Sequence, residues 1–140
     1  MPRKTAEALV RRYYDAFNDG DAASMLSCLA EDVRHDVNQG ERRVGKALFS
    51  EFCAHMARCY KERLEEIVIM ANEDGTRAAA EFIVHGRYLA TDEGLPRAEG
   101  QLYVLPAGTF FELESLLIRR ITTYYNLADW TAQVVGKAAS

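Results

Sequence analysis

The feature that most constrains this chain is the length of its alternating runs after Glu62. From Arg77 to Thr91 side chains alternate in character with a period of two, the signature of one long strand. Ala80, Phe82, Val84, Gly86 and Tyr88 share one face, and Glu81, Ile83, His85, Arg87 and Leu89 share the other. The first set is the more apolar and is expected to face the core. Further strands are expected over Arg63 to Asn72, Gly100 to Leu105, Thr109 to Leu113 and Leu117 to Asn126. Glu73-Asp74-Gly75-Thr76 and Asp92-Glu93-Gly94-Leu95-Pro96 are turns, and Pro106-Ala107-Gly108 is read as a stop. Strands that exceed the usual ~5–6 residues twist and bend, and a bent sheet encloses space.

The residues before Glu62 follow helical spacing instead. Thr5 is positioned to cap a helix to about Asn18, with Ala6, Leu9, Val10, Tyr13, Ala16 and Phe17 on its inner stripe. Asn18-Asp19-Gly20-Asp21 breaks it, and Asp21 caps a second helix carrying Met25, Leu26 and Leu29 and ending near Glu31-Asp32. Val33 to Asn38 alternates as a strand, Gln39-Gly40 turns the chain, and a third helix follows Gly45 with Leu48, Phe49, Phe52, Met56 and Cys59 inside. A last short helix is expected over Asp129 to Val135, with Trp130 packing inward. Helices segregated ahead of consecutive strands specify α+β: one domain over residues 1–140, its helices packed on a strongly curved, mostly antiparallel sheet that forms a cone-shaped pocket.

Several function classes are disfavoured. The chain carries 17 Lys and Arg against 21 Asp and Glu, a net charge of −4, and its arginine pairs are isolated, so no nucleic-acid partner is expected. Cys28, Cys53 and Cys59 lack a Cys-x-x-Cys pattern and are read as buried free thiols of a reducing compartment. No apolar stretch follows Met1-Pro2-Arg3-Lys4-Thr5 and none is long enough for a membrane span, so a cytoplasmic protein with no membrane partner is expected. His35, His55 and His85 lack metal-ligand spacing, and neither a Gly-x-Ser-x-Gly elbow nor a Gly-rich phosphate loop occurs, so no metal and no cofactor are expected.

Two segments carry a family resemblance. Arg12-Tyr13-Tyr14-Asp15-Ala16-Phe17-Asn18-Asp19-Gly20-Asp21 and Leu29-Ala30-Glu31-Asp32-Val33 resemble the opening helix and first-strand junction of the SnoaL-like branch of the ketosteroid-isomerase and nuclear-transport-factor-like superfamily, whose fold is also called cystatin-like. A narrower likeness runs through His35-Asp36-Val37-Asn38-Gln39-Gly40, Gly94-Leu95-Pro96, Gly100-Gln101, Leu105 to Phe111 and Tyr124-Tyr125-Asn126-Leu127. These segments resemble a subgroup labelled steroid delta-isomerase-related. The resemblance implies a small apolar ligand, a homodimer formed through the outer sheet face, and isomerase- or cyclase-type chemistry on a carbonyl compound. The alternative is a non-catalytic binding or dimerisation module of the same fold.

The resemblance also implies residue roles. Tyr13 matches the family's oxyanion tyrosine. Gapless counting from Glu31-Asp32 puts the family's base at Val37, with Asp36 one residue earlier. A one-residue slip reverses the face of a strand side chain, so either His35 or Asp36 faces the cavity, and the choice stays open. Counting back from Phe110-Phe111 puts the family's second oxyanion acid near Tyr103 or Val104; neither is an acid, and Tyr103 is the available donor. Phe52, Tyr88, Tyr103, Tyr125, Asn126 and Trp130 are the candidate ligand contacts.

Overall fold

The computed structural model describes residues 1–139. Helices α1 (Arg3–Asn18) and α2 (Ala22–Ser27) lead into strand β1 (Leu29–Val37), short strand β2 (Arg43–Val44) and helix α3 (Lys46–Cys59). Strands β3 (Tyr60–Ala71), β4 (Arg77–Tyr88), β5 (Leu102–Glu114) and β6 (Leu117–Tyr125) follow, and helix α4 (Leu127–Ala139) comes last. The architecture is α+β. The helices pack against one open six-stranded sheet of order β2-β1-β6-β5-β4-β3. Its pairs are antiparallel except β1 with β6, which run parallel.

The alternation along β4 sorts as its sequence requires. Ala80, Phe82, Val84, Gly86 and Tyr88 are buried, whereas Glu81, His85 and Arg87 are exposed. Leu89 departs from the expected outer set. It lies one residue past the end of β4 and borders the cavity, because the strand no longer dictates its direction. Curvature has local causes. Glu66 has φ 52° where the β3–β4 register slips between Glu65 and Val68, a bulge that bends β3. A second irregularity between Leu29 and Arg34 bends β1 against β6. Asn18 then ties α1 across β3: its side-chain amide donates to the Leu64 carbonyl and its oxygen accepts from the Leu64 N–H, both at 2.9 Å.

Several boundaries differ from the sequence reading, among them those of α1, α2 and β1. Helix α1 starts at Arg3 with Pro2 as its cap residue, so Thr5 lies inside the first turn and caps nothing. The Met1 carbonyl packs against Gly75, where a Cβ would come within 2.1 Å of it, just ahead of the helix start. Helix α2 is capped by Asp21 as expected, with the Ser24 N–H at 3.0 Å, but ends at Ser27. Leu29 belongs to β1, because pairing with Ile118 satisfies its backbone and buries its side chain.

The stop expected at Pro106 does not occur, and β5 runs through it. Pro106 sits opposite Ile83 on β4, and β6 reaches only to Tyr125, opposite Ala107. The free flank of β5 beyond that point is served by α4, where the Gln133 side chain accepts from the Val104 N–H at 3.0 Å and donates to its carbonyl at 2.9 Å. A proline at the end of a neighbouring strand forfeits no ladder bond. No helix among the described residues is long and apolar enough to cross a membrane.

Candidate functional site

The concave face of the sheet, α1, α3 and α4 enclose a cavity of about 1150 Å³ that opens to solvent. Its volume suits a multi-ring organic ligand.

Tyr13 reaches the cavity from the inner stripe of α1. Its ring is fixed edge-on by Tyr14 at 5.2 Å and Phe111 at 6.1 Å. Among the described residues none is hydrogen-bonded to its hydroxyl, and burial holds its pKa well above the usual phenol value. The group is therefore a neutral donor without a protein acceptor.

Strand β1 resolves the choice of face. Val33, His35 and Val37 point toward the helices, and His35 and Val37 border the cavity. The imidazole of His35 is wedged between Phe49 and Phe52, at 5.0 and 4.6 Å, and its Nδ1 is buried without a partner. An orphaned buried polar atom is uncommon and costs ~1–3 kcal/mol. Burial first, then the positive charge of Arg43, lowers its pKa to about 4. The ring is thus neutral at pH 7.

Asp36 points away from the cavity. Arg42 grips its carboxylate with both Nε (2.7 Å) and NH2 (2.9 Å), and Thr122 Oγ1 donates at 2.7 Å. The Arg42 hydrogen bonds chiefly hold its pKa down at about 2. It is a fixed anion behind the strand, so it does not meet the expectation of a carboxylate that reaches the ligand.

The lowered His35 pKa has a consequence for stability. Between pH 6.5 and about 4 the unfolded chain takes up a proton that the folded chain refuses. The contribution is whole above pH 6.5 and is lost as pH falls toward 4, on the order of 3 kcal/mol for a shift from 6.5 to about 4. The Asp36 contribution goes only below pH 3.8, its unperturbed value, so the two windows separate. Urea unfolding of His35→Gln at pH 7 and 4.5 is expected to show a much smaller drop between the two than the parent. Equal drops in both proteins would refute the burial argument.

The cavity holds a carboxyl that the sequence reading missed. Glu62 on β3, Gly86 on β4 and Tyr103 on β5 lie side by side across the sheet. A Cβ on Gly86 would come within 2.2 Å of the Tyr103 ring, so only glycine lets that ring lie flat across β4. The Tyr103 hydroxyl thereby donates to Glu62 Oε2 at 2.5 Å. Burial raises the Glu62 pKa against this hydrogen bond. The signal was the alternation Tyr60, Glu62, Leu64, hidden because Lys61, Arg63, Glu65 and Glu66 make the segment read as a solvated face.

The remaining candidates divide. Phe52 borders the cavity beneath the Arg43 guanidinium, 5.1 Å from its ring centroid. Tyr125 and Trp130 also border it. Tyr88 does not: its ring stacks behind Tyr60 at 5.4 Å, and its hydroxyl donates to the Pro96 carbonyl (2.6 Å) and accepts from the Asp92 N–H (2.9 Å). That tyrosine anchors the loop after β4. Asn126 is exposed, and its side chain caps α4 through the Asp129 N–H at 3.0 Å.

Among the described residues one group brings metal-type ligand atoms together, His55, Cys59 and Asp92, within 4.8 Å. Those donors are already engaged. Asp92 accepts from His55 Nε2 (2.9 Å) and from the Tyr60 hydroxyl (2.6 Å), while Arg58 donates to His55 Nδ1 (3.1 Å). Cys28 and Cys59 are buried, and burial pushes the half-buried Cys53 thiol up to about 11, far from a reactive thiolate.

Comparisons with known proteins agree with this architecture. The family model for the SnoaL-like domain matches residues 10–121. A crystal structure of a candidate polyketide cyclase from Pseudomonas putida KT2440 is 60% identical, with 96% of this chain and 98% of that chain covered and a TM-score of 0.92. One from Silicibacter sp. TM1040, with the same description, is 58% identical over 96% and 98% of the two chains, TM-score 0.92. A candidate ketosteroid isomerase from Kribbella flavida, 23% identical over 89% and 79% with a TM-score of 0.64, shares the fold alone. No curated protein matches the chain.

Proposed function

This chain belongs to the SnoaL-like domain family, and on that footing we propose that it is a cofactor-independent isomerase or cyclase-type enzyme acting on a small, largely apolar carbonyl compound held in the cavity. The observation that carries this reading is a neutral, buried imidazole with an unpartnered nitrogen, in the wall of a cavity that also presents an unpartnered phenol. Two uncommitted polar groups are costly in an apolar wall, and a ligand carbonyl repays both.

In this reading His35 takes the proton from the carbon next to the carbonyl. The Tyr13 hydroxyl donates to the carbonyl oxygen as negative charge gathers there. Return of the proton from the imidazolium to another carbon gives an isomer. Attack of the enolate carbon on a second carbonyl of the same molecule closes a ring, and the proton then goes to the new alkoxide. The Asp36–Arg42 pair holds the end of β1 in register.

The test is conversion of a β,γ-unsaturated ketone to its conjugated isomer, followed by ultraviolet absorbance across pH. Turnover should fall on the acid side near pH 4 rather than 6.5, following the lowered His35 pKa. His35→Gln should remove most of the activity. The competing reading is a binding module, favoured by the fact that Tyr103, the second potential donor, already spends its proton on Glu62. Tight ketone binding with no product from the wild-type protein would establish that reading instead.

A further inference from the structure

We propose that the end of the cavity around Glu62 recognises a protonated amine, so that the ligand is a carbonyl compound bearing an ammonium group. This inference rests on the reading of the cavity as a ligand site and specifies the ligand class.

Glu62 is surrounded by aromatic side chains. Tyr103 donates to it, Trp130 lies 5.9 Å from the Tyr103 ring and 6.2 Å from the Tyr60 ring, and Tyr125 is close enough to feel its charge. Tyr60, Tyr103, Tyr125, Trp130 and Glu62 all border the cavity. Among the described residues none gives Glu62 a cationic partner. Burying a carboxylate without one is expensive, and the deficit shows as the raised pKa of this group. Electron-rich rings beside an unpaired carboxylate form the setting in which an ammonium is held best, by ion pairing together with ring quadrupoles.

Charge elsewhere in the cavity favours the same orientation. Arg43 borders it together with His35 and stands over Phe52, whereas the charge of Arg42 is spent on Asp36. Arg43 therefore places positive charge beside His35, where the carbonyl oxygen would gather negative charge, and Glu62 is the carboxylate offered to the amine; Lys61 on the same strand and Asp92, held by Tyr60, are further charged groups that border the cavity. A ligand with its carbonyl toward Tyr13 and His35 and its ammonium toward Glu62 matches both ends. An amine entering beside Glu62 also stabilises the ionised carboxylate, so binding releases a proton wherever Glu62 was protonated.

The experiment uses three probes of equal length and different charge: phenylbutylamine, phenylbutanol and phenylbutyrate. Binding is read by calorimetry and by the fluorescence of Trp130, the one tryptophan in the chain. At about pH 7.5 the amine should bind roughly tenfold or more tighter than the alcohol, with the carboxylate weakest. In Glu62→Gln, checked for an unchanged melting temperature, the amine preference should fall to about twofold or less. In the wild-type protein the preference should shrink as pH is lowered and Glu62 takes up a proton, an arm that needs no variant. Equal binding of amine and alcohol overturns the proposal, as does a preference that survives Glu62→Gln or stays constant with pH. If none of the three probes binds, the reading of the cavity as a ligand site fails with it.

Discussion

Tyr13→Phe is expected to lower turnover of the true substrate by roughly 100- to 1000-fold while leaving the melting temperature unchanged or slightly raised. The rate effect is the usual cost of removing one donor from a developing oxyanion. The stability effect follows from the state of the hydroxyl. The side chain is buried, its hydroxyl opens on the cavity, and among the described residues none is hydrogen-bonded to it, so its removal breaks no bond within the protein. Phenylalanine keeps the edge contacts to Tyr14 and Phe111. A core tyrosine held for folding behaves in the opposite way, losing stability and sparing turnover. Kinetics together with thermal melts separate the two, and unchanged turnover in the variant removes Tyr13 from the mechanism.

Gly86→Ala is expected to cost about 2–3 kcal/mol of stability, near the upper end for an overpacked core. The new Cβ would meet Tyr103 Cε2 and Cζ at 2.2 Å and Oη at 2.5 Å. Gly86 and the Tyr103 ring are both buried, so the ring must leave its place and release Glu62. The clash is specific to one partner, which a double-mutant cycle detects. Tyr103→Leu alone loses packing and a hydrogen bond, yet in the Gly86→Ala background it should recover part of the loss, giving a favourable coupling energy. Urea titration of the four proteins measures it. Strictly additive losses would place the cost of Gly86→Ala somewhere other than Tyr103.

The two positions show different legibility. Tyr13 is visible in the sequence twice, as a member of a helical stripe and as a position within a family motif, because helix periodicity is local. Gly86 is unremarkable in sequence. Its role depends on Tyr103, seventeen residues later in the chain, and on Glu62 in a third strand, a relation that only strand register creates.

The same distinction holds for the boundaries. Alternation along β4 identified its buried face, since a strand between two neighbours repeats every second residue. The Pro106 stop was misread because a proline breaks a strand only where a neighbour needs its N–H, and the length of β6 sets that condition. Tyr88 was assigned to the buried face correctly but to the cavity wrongly. Whether a buried side chain borders empty space or another ring depends on what packs over it, here Tyr60.

What the sequence determined by itself is therefore the α+β architecture with its helices ahead of the long strands, the placement of Tyr13 and the inner face of β4. All of these follow from periodicity and turn chemistry within a few residues. Tertiary structure alone decided that His35 rather than Asp36 faces the cavity, and that Glu62 stands in its wall with Tyr103 laid across Gly86. The physical reason is that strand side chains change faces with a one-residue shift, and bulges in β1 and β3 supply such shifts without a local mark in the sequence.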